Sequence, residues 1–186
     1  MKQIYLLTGV FVVLMISCKS KIDNATYSEF QKKGNEISSL TQSVLLANVG
    51  QAMQTGGAVY AVEFCNLKAS TLVDSLNNVN NCVISRVSAK NRHPENGLKT
   101  NADKNLWAIF EAGTVNDTII QESKKLVYYK PIKMALPACL KCHGELGSDI
   151  DPATAEKLQN LYPADLATGY KLNDFRGLWK IEFAAN

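Results

Sequence analysis

The tightest constraint on this chain is the run Cys139-Leu140-Lys141-Cys142-His143, two thiols separated by two residues with an imidazole directly after. Few chemistries use that spacing. A thioredoxin-like dithiol places its C-x-x-C at a strand-to-helix junction near a βαβ pattern, and no such pattern surrounds these cysteines. A zinc site would take Cys139, Cys142, His143 and one more cysteine, but no second C-x-x-C pair supplies it. A disulfide between Cys139 and Cys142 would close a very small, strained loop. C-x-x-C-H is the attachment signature of c-type haem. Two thiols at this separation reach the two vinyl groups on one edge of the porphyrin, and the next side chain comes under the iron as its proximal ligand. A single motif predicts a single covalent haem c, with His143 on the metal.

Attachment of this kind takes place outside the bacterial cytoplasm, and the N-terminus agrees. Lys2 gives a short positive start, and residues 4–16 are apolar apart from Thr8 and Gly9. The run is too short for a comfortable membrane span and reads as a signal peptide over residues 1–17. It ends Leu14-Met15-Ile16-Ser17-Cys18, followed by polar Lys19-Ser20-Lys21. A small residue before that cysteine resembles a bacterial lipoprotein box, although Met15 stands where Leu is usual. Cys18 is then the lipid attachment site and the membrane is one partner of the chain. An uncleaved N-terminal anchor is the alternative. Either way the chain is exported, on the periplasmic side or in the cell envelope.

Residues 18–33 read as a polar, lipid-anchored tether, leaving 34–186 as one domain with room for a core. With 46% hydrophobic and 20% charged residues the composition is that of an ordinary globular protein. The formal charge of +3 is spread along the chain without a basic block, which excludes nucleic acid as a partner. Apolar positions at Ile37, Leu40, Val44, Leu45, Ala52 and Met53 have helical spacing, Gly56-Gly57 interrupts it, and Val62, Cys65, Ala69, Leu72, Val73 and Leu76 resume it. The asparagines at 77–81 are turn material. Short strands follow at 82–88 and 126–134, the second marked as an edge by Pro131. A helix spans 101–110 with Gly113 as its stop, and Asp151-Pro152 opens another that ends before Tyr162-Pro163. The last segment alternates, with Trp179, Ile181 and Phe183 on one side and Lys180 and Glu182 on the other. Helices first, then strands with helices between them, predict an α+β domain.

No His, Met or Cys follows His143. A second axial ligand therefore lies upstream, among Met53, Cys65, Cys82, His93 and Met134. Cys65 stands out because it falls on the apolar face of a helix. A thiolate there would be kept ionised by the metal and would favour ferric iron. The same position also suits an inert core cysteine, or one half of a disulfide with Cys82, which an oxidising compartment permits.

These residues together resemble a family, the bacterial PAS-like single-haem sensory domains. The similarity runs from about Ile37 to Phe183. It rests on Val62-Glu63-Phe64-Cys65, on Arg86-Val87-Ser88-Ala89-Lys90-Asn91-Arg92-His93-Pro94-Glu95-Asn96, and on Tyr129-Lys130-Pro131-Ile132. It continues through the haem motif with Gly144, Tyr162-Pro163, Gly169-Tyr170 and Asp174-Phe175-Arg176-Gly177. His93 stands where the family has Asn, and Trp179-Lys180 where it has a Ser. The resemblance implies a PAS-like antiparallel sheet flanked by helices, with haem between the sheet and the helical part. It implies His143 and Cys65 as the iron ligands. Arg86 and Arg92 are candidates for the propionates, since a guanidinium binds carboxylate in a fork; ordinary surface pairing is the alternative. Tyr128 and Tyr129 alternate faces, so one of them, Tyr129, is the candidate pocket residue.

Two functions follow. One is a haem-based redox or gas sensor, which would need a partner protein for its output. The other is a small periplasmic electron-transfer cytochrome on the membrane surface. No acid–base pair or substrate pocket signals an enzyme.

Overall fold

The structure, a computed structural model, describes residues 22–184. Asp23 starts the first helix by accepting the Ala25 and Thr26 N–H groups, both at 3.0 Å. From there α1 (Asn24–Asn80) runs for 57 residues, broken at Gly56 and Gly57. Gly57 has φ 69° and ψ −164°, a conformation only glycine adopts readily. The break is a reversal rather than a kink. Phe30 stacks edge-on against Phe183 with ring centroids 4.8 Å apart, and Phe183 pairs with Cys82 just past the helix end. On a straight helix residues 30 and 80 would lie roughly 75 Å apart, at 1.5 Å per residue. The second arm therefore folds back beside the first, and Asn81 closes it in the left-handed conformation (φ 49°, ψ 48°).

Both arms cover one face of a four-stranded antiparallel sheet made of β1 (Cys82–Val87), β2 (Thr118–Glu122), β3 (Lys125–Lys133) and β4 (Phe175–Phe183), in the order β1-β4-β3-β2. Alternation sorts the side chains. Cys82, Ile84, Ile119, Tyr128, Trp179, Ile181 and Phe183 meet Ile37, Leu45 and Ala69 of α1. Val87, Val127, Tyr129 and Leu178 face the other way, onto Leu106 and Phe110 of α2 (Asn101–Glu111). A reciprocal Thr100–Asp103 capping box starts α2. Two short helices, α3 (Pro137–His143) and α4 (Pro152–Leu161), fill the connection between β3 and β4. The domain is thus α+β, a four-stranded antiparallel sheet flanked by helices with a long helical N-terminus, as expected.

Three expectations need correction. The stretch read as a tether is helical from Asn24, and Tyr27 and Phe30 pack on the core. Its buried stripe continues through Gly34, where a Cβ would come within 2.3 Å of the Tyr128 ring, so the polar composition concealed a close helix–sheet contact. Strand β2 carries too short an apolar signal to stand out. Finally, β3 is an inner strand, yet β2 pairs only with residues up to Tyr129, so the outer side of Pro131 is unpaired and its missing N–H costs nothing there. The proposed signal peptide and Cys18 lie outside the described residues.

Candidate functional site

Helix α3 is just under two turns, started by Pro137 at a position that needs no N–H. Cys139 and Cys142, three residues apart, share a face of it, and His143 is one turn beyond Cys139. Cys139 packs toward Met134, Ala167 and Tyr170. Cys142 packs toward Val62, Ile150, Leu158 and Tyr162. A short helix ends in carbonyls without intrahelical partners, and here three in succession are bound by other segments. The Cys142 carbonyl accepts from Arg92 Nη2. The His143 and Gly144 carbonyls accept from the Tyr170 and Gly169 N–H groups at 2.9 and 2.8 Å. Gly169 makes that approach with φ 73°.

The His143 ring is fixed by the same strap. Its Nδ1 lies 2.7 Å from the Ala167 carbonyl, which can only accept, so Nδ1 carries the proton and Nε2 keeps its lone pair. Burial holds the ring's pKa well below the usual histidine range, and the charges of Arg92, Arg176 and Arg86 push it the same way. His143 is a neutral imidazole with one nitrogen free to ligate. Tyr170 stands edge-on to it, ring centroids 6.4 Å apart.

Arg92 ties these parts together. Its Nε donates to Asp165 at 2.9 Å, and Nη2 reaches the Ala167 carbonyl at 3.3 Å as well as the Cys142 carbonyl. It is committed to the strap and is not a free anion partner. Arg86 lies opposite Trp179 in the ladder, on the sheet face toward α1. It is exposed, and desolvation by the surrounding protein is the main cause lowering its pKa, ahead of the opposing Cys65 and Tyr162. Cys65, on the second arm of α1, is on the buried stripe between Val62 and Ala69. Burial pushes its thiol up, opposed by the nearby Arg86 and Arg92 charges. Burial also pushes the Cys142 thiol up to about 11, with Arg92 opposing and Cys65 adding to the rise. Cys65, Arg86, Arg92, Cys142 and His143 therefore share one electrostatic neighbourhood.

The other candidates separate. Cys82 is buried in the α1-facing core at the far end of β1 and is not joined to Cys65. His93 is exposed and caps a 3₁₀ turn through its Nδ1. Met53 belongs to the first arm of α1, and Met134 is buried against Ala167, Tyr170 and Cys139. Tyr129 is not brought to this cluster. Alternation turns it onto the α2 face, where its hydroxyl donates to Asp103 at 2.9 Å beside Lys180. Among the described residues, no three His, Cys, Asp or Glu side chains converge as a metal-ion cage. The resemblance included Tyr170 and Arg176 but gave them no role, and nothing in the sequence pointed to the Ala167 carbonyl.

The comparisons bear on this arrangement. The crystal structure of the cyanobacterial heme-protein Tll0287 matches with a TM-score of 0.57 and 18% identity, over 80% of this chain and 96% of that one, and so shares its fold. No curated protein matches the chain significantly. The profile of the Tll0287-like family matches residues 19–184, nearly the whole sequence, and the chain belongs to that family.

Proposed function

We propose that this chain is an exported, lipid-anchored haem protein carrying one covalent haem c, held through thioethers from Cys139 and Cys142. His143 and Cys65 are its axial ligands. The observation that carries the reading is the neutral His143, presented at the end of the C-x-x-C helix with Nδ1 engaged and Nε2 free. Among the described residues a zinc reading lacks a converging ligand set, and a redox dithiol would want a lowered thiol pKa where Cys142 has a raised one. The cyanobacterial heme-protein that shares this fold supports the same assignment. Cys18 supplies the membrane anchor. Among the described residues no helix is long and apolar enough to cross a membrane.

Bound haem supplies one-electron exchange and affinity for diatomic gases. The chain's own contribution favours a redox or gas sensor. Cys65 sits on an arm joined to the first through the Gly56-Gly57 reversal, apart from the strap that fixes His143, so it is the ligand able to leave. A two-state ligand of that kind is what a switch requires. A small electron-transfer cytochrome is the second reading, and it requires ligation that does not change with oxidation state.

The test is the absorption spectrum of the purified exported protein, oxidised and reduced, with its pyridine haemochrome, repeated on Cys65→Ala. A c-type haemochrome with a thiolate signature that vanishes in the variant is expected. A c-type spectrum indifferent to the substitution moves the ligand elsewhere; absence of haem from a host competent in cytochrome maturation overturns the assignment. Coordination unchanged by both reduction and added carbon monoxide excludes the sensor in favour of the carrier.

A further inference from the structure

Three arginines converge on the motif and only one is neutralised. Arg92 takes Asp165. Arg176 Nη1 donates to Ser88 Oγ at 3.0 Å and to the Lys90 carbonyl at 2.9 Å, both uncharged acceptors. The Arg86 side chain makes no hydrogen bond or ion pair among the described residues. Desolvation is the leading cause lowering the pKa of both Arg86 and Arg176, and the Arg86 charge adds to the fall at Arg176. Arg86 is exposed on the sheet face toward α1 and Arg176 is half-buried, so both forks can be reached by an anion. Against Arg176 stands Tyr170, 5% exposed. Its ring lies under Arg176 at 5.3 Å and Lys90 at 4.4 Å. Its hydroxyl lies near the Arg176 guanidinium but makes no well-formed hydrogen bond to any group. Two unneutralised forks and one orphaned hydroxyl form a donor set without an acceptor. It complements a pair of carboxylates, which guanidinium binds in bidentate fashion.

We propose that Arg86, Arg176 and the Tyr170 hydroxyl form the site for the two propionates of the haem, and that Arg92 has no part in it. The inference rests on the haem assignment above and replaces the expectation that Arg86 and Arg92 share that task. It also gives a role to the orphaned hydroxyl next to His143, which the axial ligation leaves unexplained.

The experiment uses the matured holoprotein. The propionate-bending bands of its resonance Raman spectrum and its midpoint potential are compared among wild type, Arg86→Gln, Arg176→Gln, Tyr170→Phe and Arg92→Gln. Expected are shifted propionate bands in the first three variants, a lowered potential in the two arginine variants because a cation that favours ferrous iron is gone, and unmoved bands in Arg92→Gln. Should a Gln variant fail to fold, Arg176→Lys and Tyr170→Phe serve in its place, the lysine keeping the charge but not the fork, so that the band shifts with little change in potential. Haem attached with propionate bands unmoved in the Arg86, Arg176 and Tyr170 variants, or moved by Arg92→Gln alone, overturns this site and leaves the haem assignment standing. A wild-type chain without covalent haem ends both.

Discussion

Removing Arg92 should loosen the motif without touching any group that would bond the cofactor. In Arg92→Ala the Asp165 carboxylate, whose side chain is 10% exposed, keeps only the Ala167 N–H at 2.8 Å. The Cys142 carbonyl loses its donor, and the Ala167 carbonyl keeps only His143. Breaking a largely buried ion pair from one side costs about 3–5 kcal/mol; with residual exposure on both partners, about 3 kcal/mol is expected. Arg92→Lys keeps the charge but cannot serve Asp165 and two carbonyls together, so about half that loss should remain. The assay is urea unfolding of the exported protein followed by circular dichroism, with Asp165→Ala and the double variant completing a cycle. Coupling makes the double variant less unstable than the sum of the singles. A loss below about 1 kcal/mol in Arg92→Ala, or strict additivity, would refute the reasoning, since surface ion pairs give values of that size.

Asp103→Ala should be more costly than Lys180→Met. The first leaves Lys180, 6% exposed, with only the longer 3.8 Å carboxylate contact to Glu182, at about 3 kcal/mol. The second leaves Asp103 with the Thr100 and Lys99 N–H groups and the Tyr129 hydroxyl, at about 1–2 kcal/mol; equal losses in unfolding titrations would contradict the asymmetry. Burial works to raise the Asp103 pKa, but its hydrogen bonds and Lys180 outweigh it and the folded value is lowered. Its contribution is therefore present above the unfolded pKa of 3.8 and is lost as pH falls through the folded value, so the acid transition of Asp103→Asn should be shallower than wild type below about pH 4. Gly144→Ala would bring a Cβ within 2.7 Å of the Leu140 carbonyl and 2.5 Å of Asp149 Cβ, displacing the end of α3. Haem per chain by pyridine haemochrome should fall while the sheet's circular dichroism persists, and an unchanged yield would show that the turn can yield. Gly34→Ala collides with the Tyr128 ring at 2.3 Å and should lower the melting temperature, with an unaltered melt counting against the close approach of α1 to the sheet.

Much of this molecule is local and could be read without coordinates. The Cys139–His143 spacing, the Gly56-Gly57 break, the Asn81 stop, the Asn101 and Asp151 starts and the alternation of β4 are each set by a few neighbouring residues. Helical period, cap chemistry and glycine's conformational freedom act within a turn or two, so the chain carries them openly. What needed the tertiary structure was every relation across long separations. That α1 doubles back depends on Phe30 meeting Phe183. That Arg92 clamps the strap depends on Asp165 and Ala167, more than seventy residues on. That Tyr129 leaves the site depends on which sheet face Asp103 and α2 cover. Arg86 and Arg92 look alike as letters. Their difference lies in whether a carboxylate from a distant loop arrives to neutralise them, and packing alone decides that.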